Sequence, residues 1–299
     1  MTIRFVDVGA RGGIPEYWEA IADQLHVTAF ESDPAEAERL RRDGLTVIEG
    51  AAWDSDGTRP FYLTRAARAS SLLKPIAETY AQYPEADRMT VEAVETVKTV
   101  TIDSALTGEY DWLKIDVQGG ELHVLRGAQR ILRDLVGLEI EIMVAPGYEG
   151  QASIGTVTDF LAPFGFELVD FRPTYWRRTA GRDAVGCKGQ IAFVDALFMR
   201  SPANVTWDIE KRRKAIACCS VYGLHDYQRA YAAGFPELQS SLTHKTGWTA
   251  RIPNFRYRLI LAHLLKDLGD MLLTYKGFWA FSDQALGNKP RHRLTRWFR

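Results

Sequence analysis

Three acids stand in turn at the ends of apolar runs: Asp7 in "IRFVDVGARGG", Glu31 in "HVTAFESDP" and Asp54 in "EGAAWDSDG". An ionised carboxylate offers two acceptor oxygens, so one residue can take both hydroxyls of a ribose or the protons of an amine. Glu31 has the position for ribose hydroxyls, and Asp54 lies within reach of an adenine amino group. Asp7 precedes Gly9, Gly12 and Gly13, and a glycine turn directly after a strand lets the backbone approach a ligand closely. Nicotinamide and flavin sites use G-x-G-x-x-G, whose helix start receives a pyrophosphate. Here the pattern is acidic-x-Gly-x-x-x-Gly, and a carboxylate in that turn repels a pyrophosphate but attracts an ammonium. The set favours S-adenosylmethionine, with Asp7, Gly9, Arg11, Gly13, Glu31, Ser32, Asp54 and Asp116 around it. Each acid taken alone is as well explained by a helix cap or a solvated charge. Their order after successive strands carries the inference.

Asp116 closes the run "DWLKIDV" and is the first candidate to orient an acceptor or take its proton. Lys114 lies two residues earlier, on the same side of a strand, which allows a buried or half-buried ion pair. His123 is a further candidate for proton transfer, although a histidine on a helix more often packs or faces water. Glu121 opens the same helix, where a carboxylate serves equally as a cap. Glu139 and Glu141 alternate along "LEIEIM", and charges inside an apolar strand are costly unless paired or used. With Asp116 they are the candidates for a divalent cation, which prefers carboxylate oxygens. Pairing with Lys114 or an arginine satisfies the same acids, so the site is read as metal-free, with magnesium as the lesser alternative. Glu141 and Gln118 are assigned to the acceptor side.

The elements that must position these groups alternate along the chain. Strand-like runs at 3–8, 26–31, 45–50, 111–117 and 136–144 are separated by helix-like "PEYWEAIADQL" and "PAEAERLRRDG" and by later helical stretches. That alternation reads as a parallel sheet with helices on both faces. "TVTDFLAPFGFELVDF" and "QIAFVDALFMRS" then predict a helix and a closing antiparallel hairpin at the sheet edge. From about residue 201 the sequence turns helical, giving a domain at 1–200 and a helical extension at 201–299. The 299 residues carry 46% hydrophobic and 25% charged side chains, ordinary for a globular protein. A formal net charge of −1 provides no field to attract nucleic acid. Three cysteines without repeated spacing exclude a disulfide framework and a zinc cluster. With neither a signal-peptide pattern nor a run of about 20 apolar residues, a cytoplasmic protein is expected.

The segment "DWLKIDVQGGELHVLRGAQRIL", 111–132, together with "FVDVGARGG", "FESDP", "ASSLL" and "VKTVTIDSAL", resembles the FkbM family of S-adenosylmethionine-dependent methyltransferases. The resemblance runs from about residue 3 to 200. It implies a Rossmann-like class I methyltransferase fold, α/β with a mostly parallel seven-stranded sheet and an antiparallel last strand. It also implies methylation of a hydroxyl on a sugar, glycan or glycosylated natural product. Ser70 and Ser71 fall where the family has a serine run, which assigns them to the acceptor or cofactor. Arg11 stands where the family usually has asparagine, and Gln118 where it usually has glutamate.

The first strand begins two residues from the N-terminus, so cover for the site is expected from the loop at 65–88 and from the C-terminal helices. The basic tail 288–299 is suited to an anionic membrane surface at the inner face of the membrane or to an acidic partner. A solvated end explains it equally. The helix expected at 255–281 is suited to packing on the main domain or on a second copy. Rival readings are a small-molecule N-methyltransferase, which lacks its usual Pro-Pro-aromatic segment here, and a non-catalytic scaffold, which Gln118 favours.

Overall fold

A computed structural model describes residues 1–181 and 188–242; the helix expected at 255–281 and the tail 288–299 lie outside these described residues. Met1–Leu242 forms one compact unit. Its strands are β1 (Ile3–Val8), β2 (Leu25–Glu31), β3 (Thr46–Glu49), β4 (Ala51–Ala52), β5 (Gly57–Thr64), β6 (Val91–Val100), β7 (Trp112–Ile115), β8 (Gly137–Met143), β9 (Phe166–Trp176) and β10 (Gln190–Arg200). The α-helices are α1 (Pro34–Arg42), α2 (Ala77–Tyr80), α3 (Ile102–Ala105), α4 (Glu121–Arg126), α5 (Gln129–Leu132), α6 (Ile154–Leu161), α7 (Ile209–Tyr222), α8 (His225–Ala232) and α9 (Pro236–Ser241).

Seven strands form one sheet in the order β3-β2-β1-β7-β8-β10-β9, in which β10 runs antiparallel to β8 and β9. The expected mostly parallel sheet with its antiparallel last strand is therefore observed. Strands covered on both faces need apolar residues throughout, and β8, "GLEIEIM", is buried along its length except at half-buried Glu141. One face packs Val6, Leu113, Ile115, Leu138 and Ile140 against α4, α5 and α6. The other packs Phe5, Trp112, Leu197 and Met199 against Trp18 and the buried side of α7. Strand order reverses between β1 and β7, the place where open sheets of this kind leave a crevice at the strands' carboxyl ends.

Three local features differ from or refine the sequence reading. The helix-like stretch after the glycine turn is a 3₁₀ segment, Glu16–Gln24, kinked at Ile21. Its buried residues, Trp18 and Ile21, are three apart, which matches three residues per turn. β5 and β6, absent from the sequence reading, join β4 in a second sheet of order β4-β6-β5. β6, "VEAVETVKTV", is exposed along most of its length, so its valines show no alternation to read. Finally, α7 and α8 meet at Gly223, whose φ of +70° supplies the left-handed turn that ends α7.

The basic run at the start of α7 is consumed internally. Lys211 and Lys214 donate to Asp111 at 2.8 and 2.9 Å, and the Arg4 amide donates to the same carboxylate at 2.9 Å. Arg212 caps the carbonyls of Trp207 and Tyr231. The helices after residue 200 are thereby tied to the start of β7 and to β1. Among the described residues no helix is long and apolar enough to cross a membrane.

Candidate active site

Cross-strand register puts Asp7 opposite Lys114, and Lys114 opposite Glu139. The three side chains consequently lie side by side on one face of the sheet. Lys114 Nζ donates to Asp7 Oδ1 at 3.3 Å, while the buried Asp7 Oδ2 has no partner. Burial pushes the Asp7 carboxyl above its ordinary value, against the pull of Lys114. Burial alone would lower the Lys114 ammonium, but Asp7, Asp116 and Glu139 overcome it and raise it. Glu139 accepts from the Tyr17 hydroxyl and from Arg172, the latter at 2.9 Å. The Arg172 guanidinium also lies over the Tyr17 ring, 4.7 Å from its centre. Lys114 thus pairs with Asp7 rather than Asp116, and an arginine satisfies Glu139. Among the described residues no group of three or more His, Cys, Asp or Glu is placed to hold a metal ion.

The glycine turn is fitted to β7. Gly9 has φ +76°, and a Cβ there would sit 1.9 Å from the Asp116 carbonyl oxygen. Gly12 and Gly13 also have positive φ, but a Cβ at either would meet nothing within 4 Å. The turn is therefore closed against the sheet at its first glycine and open at the others. Arg11 reaches Asp33 at 2.6 Å, and the Gly12 amide donates to Glu36 at 2.8 Å, tying the turn to the start of α1. Asp33 caps that helix through the amides of Ala35 and Glu36. Glu31, buried at the end of β2, accepts from the Asp33 amide at 2.8 Å. Burial pushes its carboxyl up, and its remaining lone pairs are available to a donor. Ser32 follows it, half-buried.

Next to the turn lies a cluster organised by Gln118, a non-glycine residue at φ +58°. Its Nε2 donates to Asp116 Oδ1 and to Glu141 Oε1, both at 2.8 Å. The Tyr148 hydroxyl lies 3.1 Å from Gln118 Oε1, and Ser71 Oγ donates to the Gln118 carbonyl at 2.8 Å. Ser71 therefore joins the 65–88 segment to the site. Ser70 turns inward, accepting from the Thr64 amide at 3.0 Å. Glu141 faces Asp195 directly across β8 and β10. Burial, then Asp116 and Asp195, hold the Glu141 carboxyl well above the usual range. Burial and Glu139 push Asp195 up to about 6. The buried Glu121 is pushed up by burial to about 7 and accepts from the Gly119 amide at 2.8 Å, as a cap does.

His123 stands apart from this cluster. Its Nδ1 is 2.6 Å from Asp54 Oδ2, and its ring stacks on Trp53 with centres 4.1 Å apart. Asp54 also accepts from Ser55 at 2.8 Å and from Arg59 at 3.3 Å. Burial opposes ionisation of Asp54, but the His123 and Ser55 hydrogen bonds outweigh it and lower its carboxyl. The structure brings Asp7, Lys114 and Glu139 together in one row and Asp116, Gln118 and Glu141 in another group. Tyr17, Tyr148, Arg172 and Asp195 join them without having been singled out in the sequence. Asp195 carried the same signal as Glu139, an acid inside the apolar run "QIAFVDALF".

The strand order and the glycine turn at its reversal point define a Rossmann-like class I methyltransferase fold. The family model for the methyltransferase FkbM domain matches residues 7–168. With more than half of its length matched, the chain belongs to this family of S-adenosylmethionine-dependent methyltransferases. Among solved structures it is similar to the methyltransferase FkbM from Methylobacillus flagellatus KT, at 15% identity and a TM-score of 0.35. That match covers 66% of this chain and 43% of the other, less than half of its length. It is also similar to magnesium protoporphyrin IX methyltransferase (ChlM) from Synechocystis PCC 6803 with bound SAM, at 9% identity and a TM-score of 0.36, covering 67% and 70% of the two chains. A comparison with curated proteins found no match.

Proposed function

We propose that this methyltransferase acts on a hydroxyl of a sugar, glycan or glycosylated natural product. The observation that carries the reading is the position of Asp7, Glu31 and Asp116 at the carboxyl ends of β1, β2 and β7, where strand order reverses and the glycine turn follows β1. The residues fit S-adenosylmethionine: the unpartnered Asp7 Oδ2 suits its ammonium, and Glu31 has acceptor capacity for two ribose hydroxyls. Arg11, Gly13 and Ser32 border the same turn. Asp54 is assigned to the adenine side, and its hydrogen bond makes His123 a residue that holds Asp54 in place. When bound, the cofactor supplies a methyl carbon activated by its sulfonium.

Gly9 and Gln118 fix Asp116 from its backbone and its carboxylate, leaving Oδ2 for an acceptor hydroxyl. Asp116 would orient that oxygen and take up its proton as the oxygen accepts the methyl group that the cofactor would supply. Alignment of this sort supplies up to about 7 to 11 kcal/mol in the best intramolecular cases. The 65–88 segment, joined through Ser71, and the residues after 200 are assigned to covering the acceptor.

Calorimetric titration with S-adenosylmethionine, with NADH as control, tests the cofactor. Binding of the first alone is expected. The reaction is tested by Asp116→Asn, for which turnover on a hydroxylated acceptor falls at least about tenfold while cofactor affinity changes little. A fully active variant removes Asp116 from the chemistry, and cofactor binding without transfer to any acceptor of a broad panel favours the scaffold.

A further inference from the structure

Among the described residues, the acceptor side of the site holds more carboxyl groups than cations. Asp116, Glu139, Glu141 and Asp195 are met, among the described residues, by Lys114 and Arg172, and both cations are engaged, Lys114 with Asp7 and Arg172 with Glu139. Arg172 reaches Asp195 only at 3.6 Å. Asp116 and Glu141 share one neutral donor, the Gln118 amide. Glu141 directly opposes Asp195 across the strands, an arrangement that like charges disfavour. All three of these acids are half-buried, so each keeps an edge toward open space.

An independent feature lies on the same side. Tyr80 is 4% exposed, and its hydroxyl, beside that of Tyr148, makes no hydrogen bond of ordinary length. Its ring packs edge-on to Tyr148, whose own hydroxyl meets Gln118, and lies 5.7 Å from the half-buried Trp176. Trp176 in turn meets Phe193, two residues before Asp195 on β10. A buried hydroxyl short of a full hydrogen bond has capacity for one more partner, and aromatic faces attract ammonium groups.

We propose that the acceptor is recognised as a cation: Glu141 and Asp195, with Asp116 beside them, take a protonated amine on the hydroxyl compound to be methylated, against the rings of Tyr80, Trp176 and Phe193. An organic ammonium answers both features, because it brings charge to the acids and hydrogen-bonding groups to the wall. The inference rests on the hydroxyl-methylating reading above and narrows its acceptor to amine-bearing sugars and their relatives.

The test is binding of glucosamine and trans-4-aminocyclohexanol against the N-acetyl derivative of each, by ligand-observed NMR at neutral pH, with and without S-adenosylmethionine. The amines are expected to bind about tenfold more tightly than their neutral twins. Glu141→Gln and, separately, Asp195→Asn are expected to erase that preference, with the neutral twin as internal control. Equal binding, preference for the neutral forms, or no binding of any probe overturns the proposal. Methylation of the neutral twins alone leaves the hydroxyl-methylating reading standing while this one falls. If the cofactor itself fails to bind, that reading falls, and the amine preference measured without cofactor still decides this one.

Discussion

Glu31 shows how one side chain can be fixed and still available. It is buried at the end of β2 with a single amide donor, so most of its acceptor capacity is unspent. Glu31→Ala is expected to weaken S-adenosylmethionine binding at least about tenfold, the scale of charge-assisted hydrogen bonds to hydroxyls. Calorimetry measures the loss, and an unchanged circular dichroism spectrum excludes unfolding; retained affinity would remove the ribose assignment. The acids themselves were legible in the sequence because each sits where a strand ends. Their partners were not. Lys114 and Asp116 are two apart, yet Lys114 pairs across the sheet with Asp7, 107 positions away. Tyr17 and Arg172 meet Glu139 from a 3₁₀ segment and the last hairpin, and local spacing carries no trace of such long-range contacts. Gln118, read as a lost carboxylate, is a neutral bridge that only its left-handed backbone and two acidic neighbours reveal.

At the level of elements, the contact of the glycine turn with β7 sets the tolerance of the site. A Cβ at Gly9 would overlap a backbone oxygen that cannot move without shifting β7, whereas one at Gly12 meets nothing within 4 Å. Gly9→Ala is expected to cost about 3 kcal/mol or more, from strain at positive φ plus the clash. Gly12→Ala carries only the conformational part, about 1 kcal/mol. Thermal unfolding of the two variants side by side checks this, and equal losses would refute the close approach. The buried parallel strands β1, β2, β7 and β8 were readable because they are near-continuous apolar runs, and antiparallel β10 was readable for the same reason. β5 and β6 were not, since a sheet wet on both faces leaves no alternation. The first helix was placed correctly but mistyped, because burial of Trp18 and Ile21 fits a three-residue turn.

For the molecule as a whole, Asp111 is the joint between the sheet and the helices after residue 200. Burial pushes its carboxyl up, but the hydrogen bonds from Lys211, the Arg4 amide and Lys214 outweigh this and hold it below its ordinary value. A depressed carboxyl stabilises the fold above its unfolded pKa, near 4, and that contribution disappears as pH falls through the folded value. Asp111→Asn leaves two lysines unpaired and is expected to cost about 2 kcal/mol at pH 7, with the two proteins converging in acid. Unfolding midpoints between pH 7 and 2.5 test this; a constant gap would mean that Asp111 acts through packing alone. One boundary remains instructive. The family match stops at residue 168, just after β9 begins at Phe166, so Arg172, Trp176, Phe193 and Asp195 all come from a hairpin beyond the shared stretch. The glycine turn itself meets β7, and the segment that follows it meets the hairpin where Arg172 lies over Tyr17. If the proposed acceptor reading holds, exchanging 166–200 between relatives is expected to move acceptor preference with the hairpin while cofactor affinity stays with the front half.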